Sequence, residues 1–242
     1  EANLKREGNP FQEILPGYLK VVETTSNEDA LKALKALSFP SLCIILTQGG
    51  NQTLNFLKAE LSQRGFTDIR GYRLAPSLEE VRWIIPAESH RAAAASLALY
   101  QPSLIKARIK KIIARGLSRL GLAAFWAPEL AIVAGKNDFN HPSPKSLDGF
   151  FEELLGCPVE LALFTGTPGY YRKPTMQVMD QKGQVLAFAK LAVNEQTEAM
   201  LANEYFMLKR LHELTPRHFS VPRVLHYGEV AGNGMLVLYL TS

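Results

Sequence analysis

The spacing of apolar residues divides the first 136 residues into helices and strands. Apolar positions three and four apart predict helices over residues 27–37 and 53–63, and a longer helical region from about residue 89 that Pro102 interrupts. Short apolar runs that end near glycine or proline predict strands between them, over residues 42–46, 68–74, 81–85 and 130–134. Strands that alternate with helices are typical of an α/β unit, and we predict one such unit, or part of one, over residues 1–136.

A polar segment that contains two prolines follows this unit. Residues 137–147 include Pro142 and Pro144 among asparagine, serine and histidine side chains. Proline has no backbone N–H to donate and a fixed φ, so closely spaced prolines continue neither a helix nor a strand. We predict that residues 137–147 are a linker between two domains.

Residues 148–242 carry a different order of elements. After a short helix over residues 147–155, the pattern predicts five strands, over residues 159–164, 175–180, 185–191, 223–227 and 235–240. One helix, over residues 196–214, lies between the third and the fourth of these strands. We therefore predict an α+β unit in which a five-stranded antiparallel sheet packs on a single helix.

Composition narrows the class of protein. The chain of 242 residues is 47% apolar and 21% charged, as in ordinary globular proteins, and it is long enough for one large or two small domains. No apolar run reaches the length of about 18 residues that a transmembrane helix needs, and the polar start does not resemble a signal peptide. Cys43 and Cys157 stand far apart in apolar surroundings, which favours two free thiols in a reducing compartment. We expect a cytoplasmic protein.

The positive charge of the chain is concentrated in one predicted helix. The formal net charge is +4, and six positive residues without any acid lie between residues 103 and 122, so the rest of the chain carries a net charge of −2. These six residues are Lys106, Arg108, Lys110, Lys111, Arg115 and Arg119. The apolar residues of the same segment form one stripe, which consists of Ile105, Ile109, Ile112, Ile113, Leu117 and Leu120.

This basic helix has two interpretations. An apolar stripe between basic residues suits binding to an anionic membrane surface. The same pattern is found in an ordinary surface helix that packs its stripe on a sheet, and we favour this interpretation. Nucleic acid is not expected as a partner, because no aromatic or glycine residues are interleaved with the charges.

The second unit carries the residue types that bind nucleotide phosphates. Gly166 and Gly169 flank Thr167 in the loop after the first predicted strand, and glycine lets the backbone approach a phosphate and offer its N–H groups. Lys190 lies on the third predicted strand, where its ammonium group can bind phosphate oxygens. Glu204, in the predicted helix that follows, can supply the countercharge. Taken singly, these residues also fit a simple turn, an edge-strand lysine and a solvated helix glutamate.

Residues from about 157 to 242 resemble the small lobe of the aminoglycoside phosphotransferase family, within the protein-kinase-like superfamily. The matching segments are Gly166-Thr167-Pro168-Gly169, Lys173-Pro174, Phe188-Ala189-Lys190, Asn203-Glu204-Tyr205 and the segment from Val221 to Gly228. The resemblance implies that Lys190 binds the α- and β-phosphates of ATP, that Glu204 pairs with Lys190, and that the loop around Gly166, Thr167, Gly169 and Tyr170 covers the phosphates. It also implies Mg²⁺ and transfer of the γ-phosphate of ATP to a hydroxyl group of a small acceptor. The loop departs from the G-x-G-x-x-G pattern, with bulky Tyr170 and Tyr171 after its second glycine.

The residues that carry out phosphoryl transfer are not found in this sequence. Transfer needs a catalytic aspartate, usually in an H-x-D loop, and a metal-binding aspartate after it. None of the five histidines is followed two places later by aspartate, and Asp138-Phe139-Asn140 precedes the glycine loop. In a complete phosphotransferase, a large lobe with the Mg²⁺ ligands would follow Ser242, and the sequence leaves open whether it does; the 242 residues alone are expected to have no transferase activity. The alternative hypothesis is a non-catalytic, kinase-like interaction module; the sequence names neither the acceptor nor the oligomeric state.

Residues from about 40 to 135 resemble the C-terminal part of a class I methyltransferase-like domain. The resemblance rests on the strand at residues 42–46, the helix that ends at Gly65-Phe66, the strands around Tyr72 and Trp83, and Ala127-Pro128 before the last strand. The glycine-rich turn that would bind S-adenosylmethionine is not found in these residues, so no methyl transfer is expected.

Overall fold

A computed structural model describes most of the chain. The described residues are 19–24, 26, 28–30, 32, 41–46, 49–77, 80–97, 105–135, 147–166, 169–214, 219–230 and 233–239. The predicted linker lies outside them except for Leu147. So does most of the helix predicted over residues 27–37, of which residues 28–30 and 32 are described and helical.

Besides the helical residues 28–30 and 32, the described residues form ten strands and five α-helices. The strands are β1 (Leu19–Thr24), β2 (Ser41–Leu46), β3 (Asp68–Ala75), β4 (Trp83–Pro86), β5 (Glu129–Gly135), β6 (Glu160–Phe164), β7 (Thr175–Met179), β8 (Val185–Leu191), β9 (Arg223–Val230) and β10 (Asn233–Tyr239). The helices are α1 (Asn51–Gln63), α2 (His90–Ser96), α3 (Ile105–Arg119), α4 (Leu147–Leu155) and α5 (Glu195–Glu213). A short 3₁₀ helix, Ala123–Phe125, precedes β5. These bounds agree with the predicted elements to within a few residues, but β1 was not predicted.

All ten strands belong to one sheet, in the order β1-β2-β5-β3-β4-β6-β7-β8-β10-β9. The pair β1–β2 is parallel, and every other neighbouring pair is antiparallel. The coarse prediction of a mixed α/β fold is therefore confirmed.

The two halves of the sheet are joined between β4 and β6. Trp83 pairs with Phe164 and Ile84 pairs with Leu163, and the rings of Trp83 and Phe164 lie 4.7 Å apart. The prediction of a separate five-stranded sheet with one helix is wrong, because β6 to β10 continue the sheet of the first half. The pairing has a physical cause: two strands with apolar faces satisfy their edge N–H and C=O groups by joining. The division into two domains at residues 137–147 stays a prediction.

Helices cover both faces of the sheet. On one face, Leu147 and Phe151 of α4 belong to a core cluster that spans both halves of the sheet, from Leu74 to Val237. On the opposite face, α1, α2 and α5 each pack on their own part of the sheet. The side chains that make these three contacts are Leu54, Leu57 and Leu61 of α1, Ala92 of α2, and Leu201 of α5.

Helix α3 does not follow the favoured interpretation of the basic segment. It packs against α2, and its buried residues are the small Ala114 and Ser118. The predicted apolar stripe is instead exposed at Ile105, Ile109, Ile112, Ile113 and Leu120. The interpretation that this stripe packs on the sheet is therefore wrong.

Candidate functional site

Lys190 lies on the face of the sheet that α5 covers. Alternate residues of a strand point to opposite faces, so Ala189 and Leu191 enter the main core while Lys190 points away from it. In the ladder, Lys190 lies opposite Thr175 of β7 and Leu236 of β10. Because Leu236 contacts α5 in a smaller apolar cluster, Lys190 lies beside the helix.

Lys190 and Glu204 form an ion pair between β8 and α5. The Nζ atom of Lys190 donates a hydrogen bond to Oε1 of Glu204. The side chains of Lys190 and Glu204 are 28% and 26% exposed, respectively, so most of each is removed from water. The structure thus brings together the two charged residues that the sequence placed in one site. A half-buried pair of this kind is strong only while both partners are present, because either charge alone would be poorly solvated.

The position of Glu204 depends on how α5 begins and packs. Asn194 caps the helix: its Oδ1 accepts the N–H of Thr197 at 2.8 Å, and the Thr197 hydroxyl accepts the N–H of Asn194 at 3.1 Å. Further along, the ring of Tyr205 stacks on Tyr227 of β9, with centroids 4.4 Å apart and planes inclined by 11°. The cap fixes the start of the helix and the stacking restricts its rotation, which keeps Glu204 within reach of Lys190.

The loop between β6 and β7 is shaped by its glycines. Gly166 has a φ of +84°, and a Cβ there would lie 3.1 Å from Cγ of Arg172 and 3.3 Å from the carbonyl oxygen of Lys173. Gly169 has a φ of +151°, and its carbonyl oxygen accepts the N–H of Arg172 at 3.0 Å. Both positions therefore need glycine. Thr167, the third predicted residue of this loop, lies outside the described residues.

A side-chain hydrogen bond ties the loop to the start of α5. Nδ2 of Asn194 donates to the carbonyl oxygen of Tyr170 at 3.0 Å. The loop re-enters the sheet at Thr175, which is the partner of Lys190. The rings of Tyr170 and Tyr171 meet edge to face at 5.3 Å and are both exposed. The structure therefore places Gly166, Gly169 and Tyr170 in a loop that begins at the end of β6 and ends in β7, beside the strand of Lys190.

Sequence reasoning missed two residues of this region, and each had a signal. Asn194 stands three residues before Thr197 at the start of a helical pattern, which is the spacing of a helix cap. Gln177 is a polar residue in the middle of an apolar strand. It is buried on the same face as Lys190, and its amide nitrogen has no hydrogen-bond partner within the described part of the chain.

A second group of ionisable residues lies on the opposite face of the sheet. Tyr72 of β3 donates from its hydroxyl to the carboxylate of Asp148 on α4, at 3.4 Å and 3.5 Å from the two oxygens. Arg70 contacts Glu152 at 3.2 Å and Asp68 at 3.4 Å. The contacts of Tyr72 with Asp148 and of Arg70 with Glu152 hold α4 against β3. Sequence reasoning missed this group, since nothing in the spacing relates residues about 80 positions apart.

Burial controls the ionisation of this group. Burial raises the pKa of Asp148 to about 6, although the positive charge of Arg70 opposes the effect. Burial, and then the charge of Asp148, raise the pKa of Tyr72 well above 10. For Arg70, burial lowers the pKa, but Asp148, Tyr72 and the other nearby acids outweigh it and the net shift is upward. Asp148 is thus protonated more easily than an exposed aspartate.

Glu160 of β6 also has a raised pKa. Burial raises the pKa of its carboxyl group to about 7, opposed by Arg70 and assisted by Glu88. Glu88 itself accepts hydrogen bonds from Lys58 at 2.6 Å and from the backbone N–H of Gly71 at 3.1 Å. The pKa of Glu160 is therefore raised by the negative charge of acidic side chains from both halves of the chain, Glu88 and Asp148.

Arg73 is almost completely buried beneath the start of α1. Its guanidinium group donates to the carbonyl oxygens of Gly49 at 2.9 Å and Ala127 at 3.2 Å, and to Oδ1 of Asn51 at 2.9 Å. Burial lowers its pKa. Through these neutral acceptors, Arg73 links Gly49 and the start of α1 to the segment that enters β5, so its role is structural.

The described residues contain no group of three or more histidine, cysteine or acidic side chains placed to hold a metal ion. No described helix is long and apolar enough to cross a membrane.

Comparison with known proteins adds no family to this description. No protein-family model, curated protein or solved structure matches the chain. The resemblances to a phosphotransferase small lobe and to a methyltransferase-like domain stay predictions from the sequence.

Proposed function

We propose that residues 148–242 are the nucleotide-binding part of a small-molecule phosphotransferase, and that ATP binds at the end of the sheet face on which Lys190 and Glu204 meet. The observation that carries the proposal is this ion pair between the third strand of the second half and the helix after it. Kinases require a lysine–glutamate pair with this placement for their nucleotide site.

The neighbouring residues support the proposal by their chemistry. Lys190 offers a positive charge to the α- and β-phosphates, while Glu204 holds the ammonium group in position and offsets its charge when no nucleotide is bound. The glycine loop between β6 and β7 offers backbone N–H groups close to the same strand. Gly166, Gly169 and Tyr170 would then lie over the phosphates, with Thr167 between them.

Under this proposal, the residues that carry out phosphoryl transfer lie outside residues 148–242. Mg²⁺ would enter with ATP and neutralise phosphate charge. We propose that its protein ligands and the catalytic aspartate belong to a large lobe of the complete phosphotransferase, and that the residues here bind and orient the triphosphate. The acceptor would be a small molecule with a hydroxyl group, and its identity would depend on that large lobe.

Equilibrium binding of Mg·ATP to the purified chain tests the proposal. We expect Lys190→Ala to weaken binding by about 10- to 100-fold, because one charge-assisted hydrogen bond is lost. Lys209→Ala is the matched control: Lys209 is an exposed lysine on α5 that points away from the pair, and its loss should leave the affinity unchanged. Circular dichroism of each variant establishes that it is folded.

Two results would count against this function. Binding that is equal in the wild type and Lys190→Ala would show that the ion pair serves the fold only. A wild type that binds no Mg·ATP at millimolar concentration would favour the alternative of a non-catalytic module.

A further inference from the structure

Helix α3 presents its large apolar side chains to solvent. Ile105 is 74% exposed and Ile112 is 69% exposed, and Ile109, Ile113 and Leu120 are exposed as well. The side of the helix that faces the protein carries small residues, Ala114 and Ser118. This is the reverse of α1 and α5, which turn their leucines toward the sheet.

Basic residues border the exposed isoleucines on both sides. At about 100° per residue, the isoleucines cover one face of the helix, with Lys106 and Lys110 along one edge and Arg115 and Arg119 along the other. The segment Ile105–Arg119 contains no acidic residue. We call this face, with its apolar centre and basic edges, the α3 face.

Apolar exposure continues past the end of the helix. Leu122 and Phe125, in the turn and the 3₁₀ helix that follow, are exposed too, and Phe125 is 80% exposed. Leu122 is 40% exposed, so the exposure of this extension is greatest at Phe125. Contiguous exposed apolar side chains that are bordered by polar residues mark protein or membrane interaction surfaces.

We propose that the α3 face docks on an anionic lipid bilayer, with the helix lying along the surface. The isoleucines would enter the boundary between headgroups and acyl chains, and the lysines and arginines on both edges would reach lipid phosphates and carboxylates. Charge selects this occupant, because the apolar interior of a bilayer and its negative headgroups complement the apolar centre and the positive edges of the α3 face. The small residues on the opposite side let α3 lie close to α2, so the helix remains part of the fold while its apolar side faces outward.

Co-sedimentation of the full chain with lipid vesicles tests this inference. We expect binding to vesicles of phosphatidylcholine mixed with phosphatidylserine, little binding to phosphatidylcholine alone, and release at high salt because screening weakens the charge attraction. Lys106→Glu combined with Lys110→Glu removes two positive charges from one edge, and we expect at least a ~25-fold weaker partition, at about fivefold per charge.

Matched variants separate the α3 face from exposed surface in general. Ile109→Ser combined with Ile112→Ser should abolish binding to anionic vesicles. Phe206→Ser, at a position that is 63% exposed on α5, should leave it unchanged, as should Lys209→Glu. All these side chains are exposed, so the urea midpoint of unfolding should stay the same and a loss of binding cannot be a loss of fold.

Three results would overturn the inference. The first is a wild-type chain that stays in the supernatant with anionic vesicles. The second is equal partition to neutral and anionic vesicles. The third is a wild type that self-associates in solution and an isoleucine variant that no longer self-associates but still binds anionic vesicles. That result would assign the α3 face to contact with a second copy of the chain.

Discussion

Replacing Asp148 with asparagine tests whether this buried carboxylate destabilises the fold. Asp148 lies in the contact between α4 and β3, where burial raises its pKa to about 6 from an ordinary value of 3.8. Asparagine has nearly the same shape, carries no charge, and can accept the hydrogen bond from the Tyr72 hydroxyl through its side-chain oxygen.

The sign and size of the effect follow from proton linkage. Because the folded pKa lies above the unfolded one, the folded state binds the proton more tightly, and the stability that this gives is lost as the pH rises through about 6. A pKa difference of about two corresponds to about 3 kcal/mol. We therefore expect Asp148→Asn to raise the free energy of unfolding by about 2–3 kcal/mol at pH 8, by roughly half of that at pH 5, and by only about 0.5 kcal/mol near pH 4.

Urea unfolding followed by circular dichroism over this pH range gives the comparison. Glu80→Gln serves as the control, because Glu80 is exposed and its replacement should shift the unfolding free energy equally little at every pH. The reasoning is refuted if Asp148→Asn is less stable than the wild type at pH 8. That result would mean that the attraction between Asp148 and Arg70 outweighs the cost of burying the carboxylate.

The two remaining predictions concern the candidate nucleotide site. Glu204→Leu leaves Lys190 without its partner and should lower the free energy of unfolding, measured in urea, by about 1–3 kcal/mol. Adding Lys190→Met should restore part of this loss. A double variant that is no more stable than Glu204→Leu alone would contradict a direct interaction between the two side chains. Gly166→Ala forces a side chain into a left-handed backbone and toward Arg172, which should cost about 1–2 kcal/mol in the same assay. Gly116→Ala, on an open helical surface of α3, should instead stabilise by up to about 1 kcal/mol, and equal effects at both glycines would refute the strain.

Local structure in this chain could be predicted because it depends on neighbours in sequence. The helix at residues 147–155 and the strand at residues 185–191 were predicted with the bounds that the structure has. The helix of Glu204 was displaced by one residue, since its first turn is set by the cap at Asn194. Lys190 and Glu204 could be placed together because a strand and the next helix usually pack on each other.

What could not be predicted depends on contacts between distant segments. Pairing of Trp83 with Phe164 joins the two halves of the sheet, and no pattern within either strand shows which edge will meet which. The contact of Tyr72 with Asp148 has the same origin. For α3 the sequence showed the stripe of isoleucines correctly, but not which way it faces, because Ala114 and Ser118 proved to be the side that packs. Amphipathic spacing defines two faces of a helix and leaves their orientation to the tertiary structure.

The amide of Asn194 has a consequence for how the glycine loop and α5 influence each other. One side chain holds both: its oxygen accepts from Thr197 in the first turn of the helix, and its nitrogen donates to Tyr170 in the loop. A ligand that moves the loop away breaks the hydrogen bond between Asn194 and Tyr170. A ligand that keeps the loop in place leaves Asn194 held in the position from which it caps α5. The coupling free energy between the loop and the first turn of α5 is the same in both directions. A change that stabilises the first turn of α5 therefore also stabilises this position of the loop. The side-chain amide of Asn194 therefore couples the loop to the helix of Glu204.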